Sequence, residues 1–298
     1  MSPQSNRSRR VFLRRAGIAA ASGIVLQHLP PFFHSLLGED EDRELFAQKI
    51  SWAAQRELAR QPLGSIIAEV GRSFIGSPYV AHSLEVPGEE HLVVNLRAFD
   101  CVTFVETTLS LSRCIKTGKT GFEDFTRELR TIRYRNGVIR GYPSRLHYFT
   151  EWISDNERKG IVRDVTRELG GTDVRTMFNI MSTHRAEYPR LINDTVFQAI
   201  RATEETLSAR SYAVLPRARV AAAEAKILSG DVIALATSIA GVDVTHTGLA
   251  VVTDGETRYL HAPLSGGKVT MSAGSLSQYV EKGSKSLTGI IVARPLEP

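Results

Sequence analysis

Cys101 is the residue in this chain best placed to do covalent chemistry. It lies in the stretch RAFDCVTFVE (97–106), directly after Asp100 and before apolar residues that recur at helical spacing to about residue 116. Asp100 is of the type that caps helix N-termini, so Cys101 is predicted to lie in the first helical turn. Backbone N–H groups and the helix dipole favour negative charge there, which would lower the pKa of a thiol and produce a nucleophilic thiolate. A cysteine in an amphipathic helix is also commonly just a buried apolar residue, so both interpretations stay open on this stretch alone.

The second cysteine, Cys114, is predicted to be structural. It lies 13 residues further along the same predicted helix. At the rise of an α-helix, that separation is roughly 20 Å, too far for a disulfide with Cys101.

Two histidines are predicted to share one face of a β-hairpin. Asp254-Gly255 lies between two strand-like runs and favours a two-residue turn, because both turn positions need positive φ. That turn sets a register in which His261 faces Gly248, so His246 and His261 become diagonal neighbours. A base that takes a proton from a thiol must be held in one tautomer by a third polar group. His261 is of the right type and position to hold His246.

The remaining pattern is helical first and strand-like afterwards. Helical spacing covers about 43–60, 62–74, 101–116, 121–135, 144–156 and 190–209, and β-type runs dominate from 211 to 295. We therefore expect an α+β fold in which helices pack on one antiparallel sheet. No Pro- or Ser-rich linker divides the chain, so 43–298 is predicted to be one domain with a helical insertion at about 120–210.

The N-terminal segment predicts export. Arg9 and Arg10 precede an apolar run that reaches about Leu29, and the five arginines of residues 1–31 occur without any acidic residue. This pattern resembles a twin-arginine signal, which indicates a periplasmic or envelope location. If the signal is not cleaved, it would tether the protein to the membrane. The stretch GEDEDRE (38–44) is predicted to be an acidic linker, so that residues 1–42 form signal and linker.

Charge and metal-ligand patterns exclude several other classes of protein. The formal net charge of +5 comes from those N-terminal arginines, and the rest of the chain is balanced, so no nucleic-acid partner is expected. A basic cluster between Arg127 and Arg145 is typical of a solvated helix face, with an anion-binding role as the alternative. The scattered histidines lack zinc-ligand spacing and there is no phosphate-binding glycine loop, so no metal or cofactor is expected.

Several blocks of the sequence resemble the cell-wall cysteine peptidases of NlpC type, which have a papain-like fold. They are GSPY (76–79), FDCVTFVE (99–106), SGDVIAL (229–235), HTGLAVV (246–252) and LHAP (260–263). PYVAHSLE, LVVNLRAFDCVTFVE, SRLHYFTEW and GVDVTHTGLAV are similar, more narrowly, to the N-acetylmuramoyl-L-alanine amidase-like branch. This closer resemblance covers about residues 70–295.

The resemblance implies a role for each matching residue. Cys101 would be the nucleophile, His246 the base and His261 the group that orients the base. Tyr79 and Asp100 would lie beside the nucleophile and help to hold substrate. The Cys101 backbone N–H would donate to the oxyanion of the reaction.

The sequence departs from the broader family in one place and extends it in another. Val102-Thr103 follows the cysteine where the broader family has Ser-Gly, so that family's small-residue contacts are not expected here. The insertion carries Ser144, Arg145 and His147, which we assign to substrate recognition. For His147, a packing or capping role is the alternative.

These observations lead to one expected function and three alternatives. We expect a peptidoglycan-cleaving cysteine hydrolase that forms a thioester, acts on muropeptides and cuts the bond between N-acetylmuramic acid and L-alanine. The alternatives are an endopeptidase that cuts between γ-D-glutamate and the diamino acid, a catalytically silent wall-binding scaffold, and an acyltransferase that uses an acceptor other than water. The sequence does not specify an oligomeric state.

Overall fold

The computed structural model describes residues 31–298, with side chains described from residue 38. The twin-arginine-like signal and the membrane tether predicted from it lie outside these residues. In the part of the chain that is described, no helix combines the length and the apolar character needed to cross a membrane.

Helices dominate the first half of the described chain, as the periodicity predicts. This half contains α1 (Pro31–Gln55), α2 (Leu63–Arg72), α3 (Cys101–Thr117), α4 (Phe122–Arg133) and α5 (Phe149–Arg158). The later helices are α6 (Ile180–Thr183), α7 (Asp194–Ser208), α8 (Val220–Ala223) and α9 (Leu276–Glu281).

Two predictions about helix boundaries are wrong. The acidic stretch 38–44 is part of α1 and not a linker. Its Asp42 is buried and accepts hydrogen bonds from the backbone N–H of Leu96 at 2.9 Å and from Arg97 Nε at 3.2 Å, so packing holds the segment in place. The helix predicted from Ser144 begins only at Phe149, because residues 142–144 form a separate 3₁₀ turn.

The strands form one antiparallel sheet, which confirms the α+β prediction. They are β1 (Val162–Asp164), β2 (Thr172–Val174), β3 (Tyr212–Pro216), β4 (Val232–Thr237), β5 (Val244–Thr253), β6 (Glu256–His261), β7 (Thr270–Ser275) and β8 (Leu287–Pro295). Their order is β2-β3-β8-β4-β5-β6-β7, with β1 paired to β8. Since β1 and β2 come from residues 120–210, the predicted insertion contributes strands to the sheet.

The β5–β6 hairpin has the register that its turn predicts. Asp254 and Gly255 have φ values of 53° and 77°, the positive values that a two-residue hairpin turn requires. His261 faces Gly248 across the pair. An added Cβ at Gly248 would approach the Cβ of His261 to 2.8 Å, so glycine is needed where the His261 side chain lies.

Side chains from the two faces of β5 enter different hydrophobic cores. Leu249 and Val251 pack with α2 and α3, whereas Ala250 belongs to a second core with Tyr259 and Leu276. A third core lies within the segment from Tyr142 to Leu207. Because side chains alternate along a strand, His246 and Gly248 lie on the Ala250 face, and Thr247 lies on the face that contacts α3.

Candidate active site

Cys101 is the first residue of α3, and the predicted cap is present. Asp100 Oδ1 accepts a hydrogen bond from the Thr103 backbone N–H at 2.7 Å, and Thr103 Oγ1 accepts one from the Asp100 backbone N–H at 2.9 Å. Thr103 therefore completes a reciprocal capping box, a function that glycine at this position would lack. Because Asp100 Oδ1 is used for the cap, Oδ2 is the carboxylate oxygen more available to a ligand, and Ser83 Oγ lies 3.4 Å from it.

The start of α3 is fixed against β5 next to His246. Thr247 Oγ1 donates to the Cys101 carbonyl oxygen at 2.9 Å. Thr247 also lowers the pKa of the Cys101 thiol, mainly through its backbone N–H, since its single hydroxyl proton is donated to the carbonyl oxygen. Nothing in the sequence pattern marked Thr247 beyond its position beside His246.

His246 and His261 form the predicted pair. His246 Nε2 lies 2.7 Å from His261 Nδ1, a hydrogen-bond distance. The His261 ring is 3% exposed and stacks on Tyr259, with ring centroids 4.6 Å apart. Tyr279 contacts the same ring at 5.1 Å. The His261 ring is therefore held by two aromatic rings that the sequence did not identify.

Both imidazoles of this pair are neutral near pH 7. Burial, together with the nearby His261 charge, lowers the pKa of His246 to about 3, and burial lowers the pKa of His261 to about 4. In a neutral pair, one ring nitrogen donates and the other accepts. If His246 donates from Nε2, its Nδ1 is left with the lone pair that can take a proton.

The Cys101 thiol is also neutral, and the predicted direction of its pKa shift is wrong. Burial and the Asp100 charge raise the pKa of Cys101 to about 12, and the Thr247 hydrogen bonds offset only part of this increase. Cys101 is partly exposed, but its thiol is desolvated, and the helix start does not overcome this effect. Within residues 38–298, no hydrogen bond joins the Cys101 sulfur to the ring of His246. Such contacts are often long in ligand-free enzymes and shorten when substrate binds.

A β-bulge and a buried carboxylate fix the segment of chain directly before His246. Thr245 is the extra residue of the bulge, since Leu235 faces His246 while the next residue of β4 faces Val244. Asp243, 3% exposed, accepts hydrogen bonds at 2.8 Å from both the backbone N–H and the hydroxyl of Thr150. These bonds join the insertion helix α5 to the chain three residues before His246. The bulge at Thr245 changes the direction of neighbouring side chains.

Tyr79 lies beside the start of α3. It forms an isolated parallel bridge with Phe99, and its backbone N–H donates to the Gly267 carbonyl oxygen at 2.8 Å. Burial and the charges of Cys101 and Asp100 raise the pKa of the Tyr79 phenol. The structure therefore brings Tyr79, Asp100 and Cys101 together.

Ser144, Arg145 and His147 use their polar atoms within the protein. Ser144 Oγ donates to the Gly141 carbonyl oxygen at 2.6 Å, and His147 Nε2 lies 2.9 Å from the Tyr142 carbonyl oxygen. The Arg145 guanidinium lies 2.5 Å from Glu85 Oε1 and is 5% exposed as a residue. The structure shows no hydrogen bond from these three side chains to Cys101, His246 or His261 in the described chain. Their assignment to substrate recognition stays a prediction.

Most arginines of the basic cluster between Arg127 and Arg145 form ion pairs within the protein. Arg133 is buried and pairs with Glu106 at 2.6 Å, and Arg135 pairs with Glu151 at 2.6 Å. Arg145 is also paired. The prediction that the basic cluster is a solvated helix face therefore holds for only part of it. In the described range, no three potential metal ligands converge on one point.

Comparisons with known proteins identify the family. Residues 69–290 match the AmiA-like family, described as N-acetylmuramoyl-L-alanine amidase-like. An N-acetylmuramoyl-L-alanine amidase from Bacteroides uniformis, known from a crystal structure, is 35% identical in sequence to this chain and has a TM-score of 0.73. The match covers 78% of this chain and 99% of that one. A Bacteroides fragilis protein provisionally named a xylanase is 38% identical, with a TM-score of 0.70, over 76% and 99%.

A protein from Legionella pneumophila shares the fold at 21% identity, with a TM-score of 0.68, over 88% of this chain and 97% of that one. No curated protein matches the chain. Because the family match spans well over half of the 298 residues, the chain belongs to the AmiA-like, N-acetylmuramoyl-L-alanine amidase-like family.

Proposed function

We propose that this protein is a cysteine amidase of peptidoglycan that cleaves the bond between N-acetylmuramic acid and L-alanine. Membership of the amidase-like family supports a hydrolase acting on cell-wall amide bonds. The observation that carries cysteine chemistry is the His246–His261 hydrogen bond of 2.7 Å next to Thr247, which also binds the start of α3. In this proposal the fold is a papain-like one of NlpC type, with a helix-start cysteine packed on a histidine-bearing strand.

The reaction begins with a neutral thiol and a neutral imidazole. As the Cys101 sulfur attacks the amide carbonyl carbon, its proton passes to His246 Nδ1, and His261 stabilises the resulting imidazolium through Nε2 of His246. The oxyanion accepts a hydrogen bond from the Cys101 backbone N–H. Collapse of the tetrahedral intermediate breaks the C–N bond, and the leaving amine takes the proton from His246. A thioester to the muramoyl carbonyl remains.

Water completes the cycle. His246 takes a proton from a water molecule, which attacks the thioester and breaks the C–S bond. The products are a carboxylic acid on the muramoyl group and a regenerated Cys101 thiol. An amine or alcohol in place of water would give acyl transfer, so the acceptor determines the reaction class.

The resting protonation state can be tested by alkylation. With a Cys101 pKa of about 12, iodoacetamide labelling should stay slow through neutral pH and rise in alkaline solution. The profile of His246→Gln should match that of the wild type, because the imidazole does not hold the proton in the resting state. Fast labelling of Cys101 below pH 8 that is lost in His246→Gln would instead show a resting thiolate–imidazolium pair.

A glycosidase is a poor fit to this site. Glycoside hydrolysis usually requires two carboxyl groups that flank the scissile bond. The carboxylate adjoining Cys101 is Asp100, whose Oδ1 is used in the helix cap. The groups nearest to the reaction centre are instead a thiol and two imidazoles.

Digestion of defined muropeptides followed by mass spectrometry tests the proposal. An amidase releases an intact stem peptide beginning with L-alanine and leaves a free muramic acid carboxyl. An endopeptidase leaves an L-alanyl-D-glutamate stump on the sugar. No cleavage by the wild type, combined with binding to purified sacculi, would favour the scaffold alternative.

We also propose that the protein functions in the periplasm or envelope, because its substrate lies there and its N-terminus resembles a twin-arginine signal. Cell fractionation of the double variant Arg9→Lys/Arg10→Lys tests this proposal. Retention of the variant in the cytoplasm while the wild type is exported is the expected result. Equal distribution of both proteins would contradict a twin-arginine route.

A further inference from the structure

The connection between β4 and β5 (238–243) leads the chain towards His246, and the insertion contacts it at two points. The first is Asp243, whose Oδ2 accepts both hydrogen bonds from Thr150, the second residue of α5. Oδ1 of the same carboxylate accepts a hydrogen bond from the Val244 backbone N–H at 2.8 Å. Both oxygens of Asp243 are therefore used, one on the insertion and one on the strand that carries His246.

The second contact point is Gly241, two residues before Asp243. Its carbonyl oxygen accepts hydrogen bonds from the backbone N–H groups of Asn179 at 3.4 Å and Ile180 at 3.3 Å. Its φ is 85°, and an added Cβ would lie 2.5 Å from Asn179 Oδ1. The positive φ and the close approach both require glycine, so the connection is packed directly against the start of α6.

The two contact points belong to one packed unit of the insertion. Glu204 on α7 is 2% exposed, and its Oε1 accepts hydrogen bonds from the Tyr148 hydroxyl at 2.6 Å and from the Met181 backbone N–H at 3.1 Å. Tyr148 lies two residues before Thr150, and Met181 directly follows Ile180. Glu204 therefore links the start of α5 to the start of α6, and the insertion contacts the connection with both.

The β-bulge lies between these contacts and His246. Val244 and Thr245 separate Asp243 from His246, and Thr245 is the extra residue of the bulge. A bulge leaves its extra residue without a ladder partner, so pairing with β4 constrains the direction of the strand less at this point. A catalytic base must be held in a narrow range of orientations, because a displacement of about 1 Å can cost 10²-fold in rate. The contacts before the bulge add a restraint to that of the sheet.

Thr150 and Asp243 also lie in two of the blocks that resemble the narrower amidase-like branch, SRLHYFTEW and GVDVTHTGLAV. Their hydrogen bonds join the two blocks in space. We propose that the insertion orients the base, and that Asp243 and Thr150 are positioning residues that act on His246 through the bulge. The proposal rests on the proposed function, in which His246 takes the thiol proton, and it gives the insertion a role in turnover.

Substitutions at the Thr150–Asp243 contact test the proposal by kinetics on muropeptides. Thr150→Val removes the hydroxyl at nearly constant volume. It should lower kcat about tenfold, the effect of losing one hydrogen bond to a charged group, with KM within about twofold of wild type. Thr150→Ser keeps the hydroxyl and should restore kcat. Asp243→Ala removes every bond of the carboxylate and should lower kcat about 10²-fold. If that protein does not fold, Thr150→Val decides.

Thr166→Val is the matched control. Thr166 is 0% exposed, and its hydroxyl oxygen accepts a hydrogen bond from the Val292 backbone N–H at 2.9 Å. It therefore also joins the insertion to the sheet, but at β8. The variant should lose stability and keep its kcat. An equal loss of kcat in Thr166→Val, or a raised KM with unchanged kcat in Thr150→Val, would overturn the positioning role.

A measurement on the His246 ring itself requires no turnover. Exchange of the C2 hydrogen of each histidine for deuterium, followed by mass spectrometry of peptides, reports how firmly the ring is held. Exchange at His246 should be faster in Thr150→Val and restored in Thr150→Ser, while exchange at the exposed His91 stays unchanged. This result without cleavage by the wild type would remove only the amidase function. Cleavage by the wild type, with unchanged kcat and unchanged exchange in Thr150→Val, would remove only the positioning role.

Discussion

Two regions of this molecule each hold a half-buried histidine, and they differ in what the polar groups around that histidine bind. At the start of the β5–β6 hairpin, one ring nitrogen of His246 is bonded to His261, and the other is the atom that we propose takes a proton. In the loop before α5, His147 binds the Tyr142 carbonyl oxygen and Arg145 is paired with Glu85. Burial lowers the pKa of His246 and of His147 alike, to about 3. A shifted pKa therefore does not separate the proposed base from the histidine that is bonded within the protein, whereas the number of ring atoms already bound by the protein does.

The largest expected effect is the loss of the proposed nucleophile. Cys101→Ala should reduce turnover of muropeptides by about 10⁴-fold or more, because no other thiol can take its place at the start of α3. Cys114→Ala is the matched control, since Cys114 is 1% exposed and lies within the same helix. It should retain kcat and lose only some stability. Turnover that survives in Cys101→Ala, measured by release of stem peptide, would refute cysteine chemistry.

The two histidines of the hairpin should differ in their effects. His246→Gln removes the base and should lower kcat about 10³-fold, within the usual range for general acid–base catalysis. His261→Gln removes only the ring proposed to hold the base, so a loss of about 10–100-fold is expected, the effect of weakening one hydrogen bond to a charged group. In both variants the effect should fall on kcat rather than KM. A larger loss in His261→Gln than in His246→Gln would reverse the assigned roles.

Arg145 tests the other side of the comparison. Arg145→Met leaves Glu85 and Glu90 without their buried cation, so the free energy of unfolding should fall by about 3 kcal/mol. The kcat of the folded variant should stay within about threefold of wild type, because the guanidinium already has partners in the protein. Denaturant unfolding and muropeptide assays on the same sample measure both quantities. Unchanged stability combined with a raised KM would support the substrate-recognition role predicted from the sequence.

The same contrast shows which features a sequence can predict. The Asp100 cap and the Asp254-Gly255 turn depend on neighbouring residues, so local pattern was sufficient for the start of α3 and for the position of His261 opposite Gly248. Contacts between distant segments were not predictable in this way. Thr247 binds the Cys101 carbonyl oxygen across 146 positions, and Asp243 binds Thr150 across 93.

The direction of the Cys101 pKa shift also depends on contacts between distant segments, so local sequence did not predict it. Local sequence shows that the residue begins a helix, and that feature alone lowers a thiol pKa. Burial depends on which segments cover the helix start, and here it raises the pKa to about 12. For the same reason, the Arg145–Glu85 pair, formed across 60 positions, was not visible in the run of basic residues around it.

The smallest expected effect concerns how His147 changes the stability of the protein in acid. An unfolded chain protonates His147 near its ordinary pKa of about 6.5, whereas in the folded protein burial and the Arg145 charge lower that pKa to about 3. Between these pH values the unfolded state binds more protons, so the free energy of unfolding falls as pH falls, by at most ~1.4 kcal/mol per pH unit for this residue.

His147→Gln removes that proton uptake, and its side-chain amide can still donate to the Tyr142 carbonyl oxygen. The variant should therefore lose stability less steeply than wild type between pH 6 and pH 4, as measured by urea unfolding at each pH. Its pH profile of kcat/KM should match that of wild type, because the proposed base is His246 and not His147. A stability slope that stays as steep, or a displaced activity profile, would mean that His147 is coupled to the catalytic groups and that the two regions act as one site.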